Sequence, residues 1–152
     1  LEAIISLVMK HEILIYNKNN KKIPEKLIEN TILKTLKFLK LKQPVALAVL
    51  IVNPSEIKRL NKIWRHKNYT PDELSFGLNS RKITKLAKEQ NRVLELGETV
   101  VNVNKIIDKS NLAKILVHSL LHLLGLHHEK SESEARQVEK IEKQILKIFK
   151  YL

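Results

Sequence analysis

At 152 residues the chain has room for one domain with one core, and its 43% of apolar residues can fill that core. Cysteine is absent, which excludes a disulfide framework and a thiolate metal site. Lys and Arg number 28 against 16 acids, giving a net charge of +12 and a pI near 9.9. That balance fits a polyanionic partner, because neutralising phosphates releases counterions, and it fits equally a solvated Lys-rich surface of a heat-adapted protein.

The opening LEAIISLVMK carries Glu2 and no basic start, so it makes a poor signal peptide. Leu1 in place of Met suggests that the first residues are missing or trimmed. No apolar run is long enough to span a membrane, and the expectation is a soluble cytoplasmic protein. EILIYNK (12–18) reads as a short strand. IPEKLIENTILKTLKFLK (23–40) reads as a helix, with Pro24 in its first turn and Leu27, Leu33, Leu36 and Phe38 among the lysines. VALAVLIV (45–52) is continuously apolar and Val-rich, as a central strand buried on both faces is.

Asn53-Pro54-Ser55-Glu56 predicts a helix start. Asn53 caps, Pro54 takes the first position, and Glu56 can reach back. Ile57, Leu60 and Trp64 follow at helical spacing, and the helix should fail near Asn68, before Thr70-Pro71. ELSFGLN (73–79) and ELGETVVNV (95–103) read as two further strands. Between them, KITKLAKEQNR is a short helix or a basic loop. A helix should run from near Ser110 to Gly125, and Ser131 to Glu134 form a capping box for a last helix that faces the core with Val138, Ile141, Ile145 and Ile148. Strands and helices mix without a clean βαβ alternation. The fold class is therefore α+β, one domain over residues 1–152, with a mixed sheet packed against helices or sandwiched in three layers.

The chemistry concentrates in HSLLHLLGLHHE (118–129). His118 and His122 stand one helical turn apart, roughly 6 Å along the axis, so both point the same way. Two imidazoles so placed can meet one metal ion at about 2.0–2.1 Å each. A third ligand must come from beyond the helix. Gly125 can adopt a left-handed conformation that turns the chain, after which His127 or His128 can fold back. A pair of histidines alone would more simply be core residues bonded to backbone; the added Gly and third His favour a metal site. Three neutral nitrogens with an open position suit one catalytic Zn2+, although iron or nickel also accepts imidazoles.

The same spacing is found in the metzincin peptidases, where a Glu directly after the first histidine activates the zinc-bound water. This chain has Ser119 there, and its only methionine is Met9, so no Met-turn can follow. HSLLHLLGLHH, with the downstream EAR…E…IL, more closely resembles the YbeY endoribonucleases, the bacterial rRNA maturation factors, whose motif reads H-G-x-L-H-L-x-G-Y-D-H. LNKIWRHKNYTPDELSF (60–76) resembles the family's L-N-x-x-x-R-x-K-D-x-P-T-D-V-L-S-F, and LGETVVN (96–102) its LGDIVI strand. The matching order covers residues 48 to 146. Departures are Ser119 for Gly, Leu126 and His127 for Tyr-Asp, Thr70 and Pro71 in reversed order, Glu98 for Asp, and a shorter segment before the histidine helix.

The resemblance implies a metal-dependent, single-strand-selective endoribonuclease of ribosome biogenesis, which processes rRNA at the 3′ end of the small-subunit RNA. Its partners would be rRNA and a ribosomal subunit or ribosomal proteins, with no membrane. Its register assigns the metal to His118, His122 and His128, and leaves His127 beside the cleft or in solvent. Arg65 falls on the family's arginine, so Arg65 and a metal-bound water are the catalytic candidates; without the resemblance Arg65 would read as a surface charge at a helix end. Asp72 should fix the loop carrying Arg65, and Ser75 can line the cleft. Among Trp64, Tyr69 and Phe76, Trp64 and Phe76 read as core and Tyr69 as free to stack a base. Two other readings compete. One is a metzincin-like zinc peptidase using Glu129 or another acid as base. The other is a non-catalytic, metal-stabilised RNA-binding assembly factor.

Overall fold

The computed structural model describes residues 10–41, 43–78, 93–106, 108–126 and 131–149. The undecided segment KITKLAKEQNR, the opening nine residues, and His127, His128 and Glu129 lie outside the described residues. The described elements, in chain order, are β1 (Glu12–Asn17), α1 (Glu25–Phe38), β2 (Val45–Val52), α2 (Pro54–Arg65), β3 (Glu73–Gly77), β4 (Leu94–Asn102), a 3-10 turn (Val103–Lys105), α3 (Lys109–Leu123) and α4 (Glu132–Leu146).

The four strands form one mixed sheet in the order β1-β2-β4-β3. β1, β2 and β4 run parallel, and β3 pairs antiparallel with β4 at the edge. β2 lies inside the sheet, as its apolar run predicts. Its two faces are not equally covered: Val45, Leu47, Val49 and Ile51 are buried against α1 and α3, while Leu50 on the opposite face is half-buried. That opposite face is packed by α2 through Ile57, with Val52, Leu74 and Val100. The α+β class stands, in a layered form with the sheet between helices.

β4 changes phase along its length. Leu94 and Leu96 belong to the core on the α1/α3 side, yet farther along Val101 points there and Val100 points the other way. The reason is a bulge: Ala46 pairs with Glu95 and Leu47 with Gly97, so Leu96 is an extra residue. Gly97 has φ +118, and a Cβ there would lie 2.0 Å from the Phe76 carbonyl oxygen, so only glycine fits.

α1 buries Ile28, Thr31, Ile32, Thr35 and Leu36. Leu33 and Phe38, expected among its apolar positions, are 36% and 37% exposed, because the buried stripe runs i, i+4, i+8 through Ile28, Ile32 and Leu36. Pro24 sits at the cap position rather than within the first turn. In α4, Val138 and Ile145 are buried against Val117 and Leu121 of α3, and Ile141 packs at the margin. Ile148 is 43% exposed, contrary to the helical pattern, because the helix has ended at Leu146 and Phe149 takes the core place instead.

Candidate active site

α3 is the element on which the site is built. Asp108 caps it, accepting from the Asn111 amide at 2.7 Å. Leu112, Leu116, Leu120 and Leu123 all lie in the sheet-side core, and Val117 and Leu121 face α4. Those two stripes leave a third for His118 and His122, whose ring centroids are 4.3 Å apart with planes at 43°. At the C-terminus the Gly125 amide donates to the His122 carbonyl and the Leu126 amide to that of Leu121. Gly125 has φ +86, the left-handed turn its position in the sequence predicts.

His118 has a partner the sequence reading missed. Its Nδ1 lies 2.7 Å from Oε1 of Glu142 on α4, with the imidazole 33% and the carboxylate 19% exposed. The hydrogen bond to Glu142 raises the His118 pKa above its ordinary value, against burial, and the charges of Glu142 and Glu73 add to it. A signal for Glu142 existed. It stands between Val138 and Ile145 on the buried stripe of α4, where an acid has no reason to be unless it meets a polar partner.

The other wall starts at the end of α2. Asn53 caps that helix by accepting from the Glu56 amide at 2.8 Å. Glu56 does not reach back; its carboxylate takes both ends of the Arg59 guanidinium, at 2.8 and 2.7 Å. His66, with φ 57, ends α2 directly after Arg65, earlier than the sequence predicts. The buried Asn61 then donates to the Tyr69 carbonyl at 3.0 Å, and Asn102 donates through its side chain to Pro71 and through its amide to Asp72. These bonds clamp the loop from 66 to 72. Asp72 contributes through its backbone carbonyl, while its carboxylate pairs with Lys105 at 3.6 Å.

Between the walls lies a cleft of about 740 Å³. Arg65, Tyr69, Asp72 and Glu73 line one side; Lys114, His118, Glu142 and Lys143 line the other. Ser75 does not line it and is tied to it through Glu73, whose Oε2 accepts the Ser75 hydroxyl at 2.8 Å. The same Oε2 accepts the Ser119 hydroxyl at 3.0 Å, and Ser119 accepts in turn from Thr99 at 2.9 Å. Trp64 departs from its expected core place: it is 66% exposed and meets the half-buried Phe76 edge-on at 6.3 Å. It lies over the edge strand β3 and lines an open groove with Leu60 and Phe76, so helical spacing alone does not bury it. Tyr69 is 52% exposed at the cleft rim.

Among the described residues no three His, Cys, Asp or Glu side chains converge closely enough to hold a metal ion. The donor chemistry of the two imidazoles nonetheless suits one: they share a helix face, and His118 has its Nδ1 engaged by a carboxylate, the arrangement that directs Nε2 to a metal.

Comparison with known proteins agrees with this architecture. The family model described as Endoribonuclease YbeY matches residues 14–150. The Endoribonuclease YbeY of Thermodesulfovibrio yellowstonii is 32% identical, over 95% of this chain and 86% of its own length. That of Syntrophomonas wolfei is also 32% identical, over 89% of this chain and 95% of its own. The solution structure of a Thermotoga maritima protein shares the fold, with a TM-score of 0.55 at 23% identity over 88% of this chain and 86% of that one. The match runs through both walls of the cleft, from β1 to the end of α4, and the chain belongs to the YbeY endoribonuclease family.

Proposed function

We propose that the chain is a metal-dependent, single-strand-selective endoribonuclease that acts on rRNA during ribosome maturation in the cytoplasm. The observation that carries this reading is that Arg65, Tyr69 and His118, from two motifs far apart in the sequence, line one cleft. Membership of an endoribonuclease family supplies the reaction class. Among the described residues no helix is long and apolar enough to cross a membrane, and the +12 charge suits an RNA partner.

His118 and His122 would hold the metal, with His128 as the third ligand. When bound, a zinc ion polarises a phosphoryl oxygen and acidifies water. The rest falls to the chain's own side chains. Glu142 holds the His118 ring through Nδ1. Arg65 binds the scissile phosphate with a planar fork and offsets the negative charge that grows on its oxygens in the transition state. Lys114 and Lys143 attract neighbouring phosphates across the cleft. Tyr69 offers an exposed ring on which an unpaired base can stack, which a base inside a duplex cannot do.

The test combines metal analysis of the purified chain with cleavage of single-stranded and duplex RNA, before and after metal removal. The expected result is one metal ion per chain, cleavage of the single strand only, and loss of cleavage but not of RNA affinity when the metal is removed. Loss of both with unfolding identifies a metal-stabilised binding factor instead.

A further inference from the structure

The position after His118 is occupied by Ser119, a hydroxyl where a helix of this build could carry its own acid. A carboxylate nevertheless reaches that point from the sheet. Glu73, at the start of β3, accepts the Ser119 hydroxyl at 3.0 Å and the Ser75 hydroxyl at 2.8 Å, both on Oε2. Thr99 on β4 backs Ser119 at 2.9 Å. Two hydroxyls, one of them backed by a third, thus orient one oxygen of one carboxylate. The other oxygen, Oε1, makes no hydrogen bond to any described residue, and Glu73 lines the cleft together with Arg65 and His118.

A structural staple between β3 and α3 would use the carboxylate fully inside the protein. Here one oxygen anchors and the other is left to whatever enters the cleft. Nor do Glu73, His118 and His122 form a convergent set of metal ligands among the described residues. A half-buried carboxylate, held from behind and open in front, has the form of a general base.

We propose that Glu73, which stands where the family motif has Val, is the general base of the RNA cleavage in this chain, a role that rests on the endoribonuclease reading above. Its Oε1 takes the proton from the attacking hydroxyl. The electron pair freed on that oxygen forms the new P–O bond. The scissile P–O bond breaks, and its electron pair stays on the leaving ribose oxygen. In-line displacement puts that oxygen on the far side of phosphorus, so it takes its proton from solvent, and the protonated Glu73 gives its own proton to solvent, which leaves the carboxylate as it began and the proton count unchanged.

Glu73→Gln keeps the size of the side chain and can still accept from Ser75 and Ser119, but it removes the base. In the full chain loaded with metal, cleavage at saturating RNA should fall about a hundredfold or more, while RNA affinity, metal stoichiometry and thermal midpoint stay at wild-type values. Formate added to Glu73→Ala should restore part of the lost rate and leave the wild type unchanged. Glu29→Gln, on the exposed side of α1, should be neutral throughout. Wild-type cleavage by Glu73→Gln, with its fold intact, overturns the proposal. So does loss of metal from that variant, which would make Glu73 a ligand. Failure of the wild type itself to cut RNA would overturn the endoribonuclease reading and this role with it, a result visible before any variant is compared.

Discussion

Removing the Glu142 carboxylate isolates what the bond to His118 contributes to metal capture. Glu142→Ala deletes an acceptor 2.7 Å from Nδ1 in a site where the imidazole is 33% and the carboxylate 19% exposed. A hydrogen bond to a charged group contributes about 1.5–3 kcal/mol, and partial solvent access argues for the lower part, roughly 1.5–2 kcal/mol. At about 1.4 kcal/mol per factor of ten, zinc affinity should weaken some 10- to 30-fold, within the range known for groups that orient a ligating histidine. Glu142→Gln keeps an acceptor without the charge, so its loss should be smaller, about fivefold or less. Competition with a chelator of known affinity at one neutral pH measures both. Nitrogen chemical shifts of His118 in the metal-free protein add a second readout: Nδ1 should carry the proton in the wild type and lose that preference in Glu142→Ala. Unchanged zinc affinity and an unchanged tautomer in Glu142→Ala, with the fold intact, would refute the reasoning.

Arg65→Lys should lower the cleavage rate although charge is kept, and Arg65→Ala should lower it by about a hundredfold or more at saturating RNA; losses no larger than those of a distant Lys→Ala would make Arg65 an ordinary surface charge. Gly97→Ala forces a Cβ to 2.0 Å from the Phe76 carbonyl oxygen at φ +118, and should cost roughly 3 kcal/mol or more in a denaturant melt. Gly77→Ala, where the nearest contact is 3.9 Å, should stay within about 1 kcal/mol. His118 and His11 should act oppositely on the stability of the metal-free protein. The raised pKa of His118 contributes stability in full below its unfolded value of 6.5, and this is lost as pH rises through the folded value. The lowered pKa of His11, whose cause is burial, contributes above 6.5 and is lost as pH falls through its folded value. Denaturation across that pH range should therefore show the alkaline loss weakened in Glu142→Gln and the acid loss weakened in His11→Gln; identical profiles in all three proteins would count against both assignments.

The histidine helix was legible because its constraints are local. Spacing puts His118 and His122 on one face, leucines at 112, 116, 120 and 123 bind another, and Gly125 marks the end. The Asn53 cap was legible for the same reason. What the sequence hid depends on where elements stop relative to their neighbours. Trp64 shares a helical stripe with Ile57 and Leu60, yet it lies over the edge strand β3 and stays 66% exposed. Ile148 continues the period of α4 beyond the point where the helix ends. Glu142 stands out only as an acid on an apolar stripe, and Glu73 shares its strand face with Ser75, so its meeting with Ser119 depends on how α3 packs on the sheet. The place of His128 in the site rests on the family register alone.

The bulge in β4 divides one strand into two halves that follow opposite phases of alternation. Leu94 and Leu96 obey one phase, Thr99 and Val101 the other, and the switch is confined to a single residue step. An unbulged strand of the same length would be easier to form and would pair better with β2. It would also send the wrong set of side chains to each side. Glu98 would point into the core beneath α1 and α3, and Thr99 would turn away from Ser119, taking with it the hydroxyl behind Glu73. The strand is in effect written in two reading frames, and the segment after Gly97 has chemical meaning only in the second. A one-residue insertion or deletion beyond Gly97 would make the same error, whereas loss of the bulged residue itself would leave both halves in phase with β2.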